Sequence, residues 1–244
     1  MTAFGRVSVP GVTPGVGAGA GLRAQVGVGS SGDNASTSAA WGWREAGFNA
    51  DIAATGEDEY SAVVQPAYSG GRALAFRVSV DDGFTWRYCD KTGLADAGYD
   101  PTQQWDLAVG NTTALGWCGL QFPPTADAGT IIYGQVYEPN VTPNPGADPS
   151  ITAQLGYGKK IEDPGASAGW KWVTASHNPT CSTCGNNDEY KATLSSAPQG
   201  SYAYAYRFTR DGGSFCFADL DGAANGFSGD KAGSPSNLGQ AVIP

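Results

Sequence analysis

The chain has 244 residues, a formal charge of −9 and 41% hydrophobic side chains. That is enough for two packed cores, and the acidic balance, shared about equally by the two halves, argues against a basic phosphate-binding face and so against nucleic acid as a partner. No run approaches the roughly 18 apolar residues of a membrane-crossing helix, and abundant glycine with sparse charge favours strands and tight turns over helices.

In chain order, residues alternate apolar and polar from Phe4 to Val9, Leu22 to Val28, Ala73 to Val80, Ile131 to Tyr137, Ile151 to Tyr157 and Tyr202 to Phe208. Period two predicts half-buried strands at each. Turn signals separate them, among them Pro10-Gly11, Asp82-Gly83, Pro145-Gly146 and Asp211-Gly212-Gly213. About seven short strands per ~110 residues is the pattern of a β-sandwich.

The same order of blocks occurs twice. Phe4-Gly5-Arg6-Val7 returns as Tyr133-Gly134-Gln135-Val136, and Ala24-Gln25-Val26-Gly27-Val28-Gly29 as Ala153-Gln154-Leu155-Gly156-Tyr157-Gly158, both at an offset of 129. Trp41-Gly42-Trp43 returns as Trp170-Lys171-Trp172 at the same offset; Asp58-Glu59-Tyr60 and Phe76-Arg77-Val78-Ser79 return at 130 as Asp188-Glu189-Tyr190 and Tyr206-Arg207-Phe208-Thr209. Two copies of one domain follow, read as modules 1–110 and 131–244 joined by residues 111–130. The apolar, proline-containing joining segment is expected to pack against the first module. Residues held in both copies serve the shared fold, and residues held in one are candidates for something local.

Two disulfides drawn from the five cysteines admit many pairings, and spacing selects none of them. Cys89 lies in the strand Trp86 to Asp90 and Cys118 in the joining segment, so a Cys89–Cys118 staple is expected. Cys181 and Cys184, within a Cys-Ser-Thr-Cys insert of the second copy, are expected to form a loop disulfide. Cys216 is then left unpaired or intermolecular. A zinc alternative uses His177, Cys181, Cys184 and Cys216, a Cys3His set with His-x3-Cys-x2-Cys spacing; the first copy has Phe48 where His177 stands.

Calcium is the other metal candidate, because Asp188, Glu189, Asp211, Asp219 and Asp221 would offer several hard oxygens if end loops bring them together. Arg77 and Arg207, inside apolar strands of both copies, are expected to pair with Glu59 and Glu189. Each Trp-x-Trp, Trp41/Trp43 and Trp170/Trp172, places two indoles on one strand face. Such a pair packs in a core or, if exposed, forms a platform on which sugar rings stack. Tyr202, Tyr204 and Tyr206 are expected in the core. Asn34, Asn111 and Asn140 match the glycosylation acceptor triplet. With one histidine, absent from the other copy, no Ser-His-Asp arrangement is supported, and an enzyme is not expected.

The blocks Tyr133 to Tyr137, Ala153 to Gly158, Asn186-Asn187-Asp188-Glu189-Tyr190 and Tyr204 to Gly213 together resemble repeat modules of secreted bacterial surface proteins and lipoproteins, notably of myxobacteria-like lineages. Similar modules accompany catalytic domains in amylopullulanase-type enzymes, and Gly116 to Gln121 resembles their inter-module segment. The resemblance implies an all-β chain of two tandem immunoglobulin-like antiparallel β-sandwiches, extracellular and with disulfides suited to an oxidising compartment. It implies a non-catalytic structural or adhesive surface module, a mature or excised portion of a secreted protein, with protein, polysaccharide or a second copy as partner. The alternative is an accessory module binding α-glucan-type carbohydrate.

Overall fold

The structure, a computed structural model, describes residues 1–66, 70–93, 99–109, 115–220 and 237–244. Its elements are β1 (Thr2–Val7), β2 (Arg23–Ser30), β3 (Gly42–Ile52), β4 (Glu57–Val63), β5 (Gly70–Ser79), β6 (Arg87–Cys89), a 3-10 turn at Pro101–Gln103 and β7 (Trp105–Val109). There follow β8 (Trp117–Phe122), β9 (Thr125–Ala126), β10 (Ile132–Tyr137), β11 (Ile151–Gly158), β12 (Lys171–Thr174), β13 (Ser176–His177), β14 (Asp188–Ala192), β15 (Gly200–Arg210), β16 (Cys216–Ala218) and β17 (Gly239–Ile243). The chain is all-β; most of its strand pairs are antiparallel, and β17 runs parallel to β9. No helix among the described residues is long and apolar enough to cross a membrane.

Two compact units result, the first made of Met1–Pro66, Gly71–Ala108 and Gly165–Ala168, the second of the remainder. In the first, strands run β1-β4-β3-β2-β5-β6, with β7 also on β5. β3 is long enough to serve two partners, pairing Gly42 to Ala46 with β2 and Gly47 to Ile52 with β4, the second ladder carrying a bulge at Phe48/Ala50. Period two then sends Ala24, Val26 and Val28 of β2 and Leu74 and Phe76 of β5 to one face, where they meet Ala3, Tyr60 and Ala62 in one core.

The second unit has sheets β13-β14-β10-β8 and β12-β11-β15-β17-β9, with β16 on β15. The equivalent of β3 is here broken into β12 and β13, one for each sheet. Leu120, Ile132, Val136 and Tyr190 from one sheet and Ala153, Leu155, Tyr204, Tyr206 and Phe208 from the other form a sandwich-like core between them. Tyr204 and Tyr206 are fully buried, and the Tyr206 hydroxyl donates to the Ile132 carbonyl at 2.8 Å. Burial pushes the Tyr204 phenol up to about 12.

The segment read as a linker is part of this second unit. Cys118 and Leu120 are buried on β8 while Phe122 is exposed, and the apolar run pairs with β10. The expected Cys89–Cys118 staple is therefore replaced. Cys118 reaches β16 and is bonded to Cys216, with Cα atoms 6.2 Å apart, and Cys89 of β6 keeps its thiol. Cys216 is thus neither unpaired nor intermolecular. The Cys181–Cys184 loop disulfide is present.

Candidate functional site

Part of the set that recurs in both copies lies on one sheet face in each unit, opposite the core. Gln25, Gly27 and Gly29 of β2 lie between Arg77, Ala75 and Ala73 of β5 and Trp43 of β3. In the second unit Gln154 faces Arg207, and Gly156 faces Trp172. The indoles lie flat over the glycines. A Cβ on Gly27 would stand 2.7 Å from Trp43, and one on Gly156 2.5 Å from Trp172. Gly29 and Gly158 stand likewise under Trp41 and Trp170, which explains why a Gly-x-Gly accompanies each Trp-x-Trp.

Each arginine is clamped between two rings. Arg77 lies 4.2 Å from the Trp43 centroid and 4.3 Å from that of Trp86; Arg207 lies 4.0 Å from both Trp172 and Phe215. The glutamine opposite fixes the guanidinium in its plane: Arg77 Nε donates to Gln25 Oε1 and Arg207 Nε to Gln154 Oε1, both at 2.8 Å. These columns replace the expected ion pairs. Glu59 accepts from Arg6 and Asn49, and Glu189 from Asn178, because two strands stand between β4 and β5 and β14 belongs to a different sheet from β15. Gln25, Gln154, Trp86 and Phe215 escaped sequence reading as members of this set. The available signal was that each glutamine keeps nearly the same separation from its arginine in both copies, 52 residues in the first and 53 in the second.

Trp41 and Trp170 are each 3% exposed, whereas Trp43 and Trp172 remain half-buried at the column. The indoles of each pair are 5.7 and 5.8 Å apart. In the first unit the face extends through Tyr88, 5.7 Å from both Trp43 and Tyr99. A half-exposed row of π faces and one cation can pack flat apolar surfaces and offer donors at its rim.

The metal sets do not assemble. Cys216 is held by Cys118, and Cys181 and Cys184 are bonded to each other, so the zinc set of His177, Cys181, Cys184 and Cys216 loses its thiolates. Glu189 lies within 4.8 Å of the Cys181 and Cys184 sulfurs, a cluster of which both sulfurs are already disulfide. His177 packs edge-on to Tyr190 at 5.6 Å, as Phe48 packs on Tyr60 at 5.8 Å, so this position is aromatic packing in both copies. Its Nε2 lies 3.7 Å from Asp188 Oδ1. Burial raises the Asp188 carboxyl above its ordinary range, and His177 partly offsets this.

The calcium oxygens are dispersed as well. Asp188 and Glu189 are buried on β14, Asp211 is exposed in the turn after β15, and Asp219 is buried beyond β16; among the described residues these carboxylates form no common cluster. Asp221 and Asn111 lie outside the described residues. Asn34 accepts from Ser36 N–H at 2.8 Å and shapes its own turn, while Asn140 is exposed with φ of 62°. An open depression of about 400 Å³ in the second unit is lined by Ile131, Val173, Thr174, Ser176 and Lys191 among others, and Lys191 Nζ donates to Asn178 at 3.2 Å.

Fold and site together define an all-β protein with two disulfides and a duplicated aromatic–arginine face. No family model matches the chain, and no curated protein matches it. Among solved structures it is similar to an endo-fucoidan hydrolase from glycoside hydrolase family 107, at 9% identity and a TM-score of 0.20. That match covers 100% of this chain and 23% of the other, so the chain spans under a quarter of its length. A likeness of this size carries no argument about fold or activity.

Proposed function

We propose that the chain is a non-catalytic structural or adhesive element of an extracellular surface, built from two tandem immunoglobulin-like sandwiches. One observation carries the reading: the groups that the duplication preserves, Gln25/Gln154, Gly27/Gly156, Trp43/Trp172 and Arg77/Arg207, are engaged with one another as an interlocked face. Their geometry stiffens a module. The Cys118–Cys216 and Cys181–Cys184 disulfides suit an oxidising compartment. The test is fractionation of the source cells with an antibody against the chain, with thiols trapped at lysis. The surface or medium fraction is expected to hold the chain with Cys118 and Cys216 oxidised; a reduced chain in the cytosol would sink the reading.

A second reading, binding of α-glucan-type carbohydrate, draws on the half-exposure of Trp43 and Trp172. Titration calorimetry with a soluble α-glucan decides it. Heat that vanishes in Trp43→Ala and Trp172→Ala, each shown folded by near-ultraviolet dichroism, would favour it; no heat with the parent chain would dismiss it.

A further inference from the structure

The two units differ at one edge, and the second shows what fills it. There β8 pairs with β10 from Tyr137↔Trp117 to Tyr133↔Phe122. Its other flank is tied to β16, through Cys118–Cys216 and through the Leu120 N–H, which donates to the Asp219 carbonyl at 2.9 Å. β8 thus closes the gap between the two sheets. Behind it Val136, Phe208 and Ala218 are each 0% exposed.

Among the described residues the first unit has no strand in the equivalent place. β1 is the counterpart of β10, and β6 that of β16, since Phe76↔Cys89 matches Tyr206↔Ala218 in register. At the repeat offset none of the 244 residues is the counterpart of Trp117 to Phe122. Among the described residues β1 pairs with β4 alone. Val7, Val78 and Cys89 stand where the second unit has Val136, Phe208 and Ala218, and all three are partly exposed. Arg6 is exposed where Gln135 is 7% exposed. Phe4 is 54% exposed, whereas its counterpart Tyr133 packs 5.0 Å from Phe122 of β8.

We propose that the groove between β1 and β6 accepts an added β-strand, one of β8's own chemistry. An unpaired edge supplies main-chain donors and acceptors, and the alternate side chains of the incoming strand supply specificity. The inward places held by Cys118 and Leu120 in the second unit require small or aliphatic side chains here, over Val7, Val78 and Cys89. The outer end requires an aromatic ring to meet Phe4. The strand is held without a covalent staple, because Arg87 stands where Cys216 stands. The place of Leu120 comes to lie over Cys89, two residues further along β6. This inference rests on the duplication and does not depend on the surface reading.

The test uses the whole chain and synthetic peptides of residues 115–124. A fluorescein-labelled peptide carrying Cys118→Ala is expected to bind saturably by anisotropy, and the same peptide with a further Leu120→Asp change is expected not to bind. For placement, a peptide with Cys118→Ala and Leu120→Cys carries its sulfur as a thiopyridyl disulfide. The Cys89 thiolate attacks that sulfur, expels thiopyridone and leaves one peptide per chain. Proximity should make this about tenfold or more faster than for a peptide with the cysteine kept at 118 and the same activation. Equal rates, or no saturable binding, would overturn the proposal. So would a peptide-insensitive dimer by light scattering in which β1 amides exchange slowly, since a second copy would then occupy the edge.

Discussion

At the scale of single residues, the guanidinium of Arg207 shows how one side chain serves several roles. Its plane contacts two rings, its edge bonds Gln154, and its stem crosses the sheet surface. A lysine keeps the charge but lacks the plane and the fork. Arg207→Lys is therefore expected to destabilise the second unit by about 1–2 kcal/mol, read as a lower urea midpoint with an unchanged slope. Asp81 is a second residue-scale case. Hydrogen bonds from Thr85 and Ser79 favour its ionised form and hold its carboxyl at about 2. Because the folded value lies below the ordinary carboxylate near 3.9, its contribution is present above that ordinary value and fades as pH falls through about 2. A carboxyl-carbon NMR titration should find its midpoint there. Cys89 has the opposite sign. Burial and neighbouring Asp90 push its thiol up to about 11, so alkylation should quicken with pH up to that value rather than levelling near 9.

At the scale of elements, the strand pairs β2/β3 and β11/β12 depend on the absence of a side chain. Gly27 and Gly156 let an indole rest on the backbone, and an added methyl would meet ring carbons rather than a movable chain end. Gly156→Ala is expected to cost about 1–3 kcal/mol as overpacking, with loss of Trp172 near-ultraviolet dichroism as the second readout. The same element logic governs β8. Its sequence, Trp117 to Phe122, alternates in the manner of a strand, but alternation does not say which sheet a strand joins. The expectation that it covered the first unit placed Cys118 beside Cys89; hydrogen bonding to β10 placed it beside Cys216 instead.

At the scale of the whole molecule, the two units differ in their covalent ties. Cys118–Cys216 spans 98 residues and, in the chain-entropy view, removes about 4–5 kcal/mol of unfolded-state freedom. Cys181–Cys184, separated by 3, closes too short a loop to contribute comparably. Calorimetry of a Cys118→Ala, Cys216→Ala chain should therefore lower the transition of the second unit and leave the first unit's transition in place. A single transition that shifts as one would show the units to be thermodynamically inseparable. The acidic balance, with a charge of −9 and an isoelectric point near 4.4, adds that solubility should be least near that pH.

Strands, turns and the duplication were legible in the linear order of residues, because period two and glycine-rich turns are local properties of the backbone. The repeat also identified the residues of the shared face, Trp43/Trp172 and Arg77/Arg207 among them, before their contacts were known. The loop disulfide of Cys181 and Cys184 was legible for the same reason, since its closure is local. Partner choice was not. Which acceptor an arginine takes, which sheet an alternating segment joins, and which cysteine faces which depend on residues far apart in sequence. Three-dimensional packing alone brought Gln154 to Arg207, β8 to β10 and Cys118 to Cys216. Among the described residues β1 pairs with β4 alone where its counterpart β10 has a strand on each side, a difference between two nearly repeated sequences that arises because a strand's neighbour comes from elsewhere in the chain.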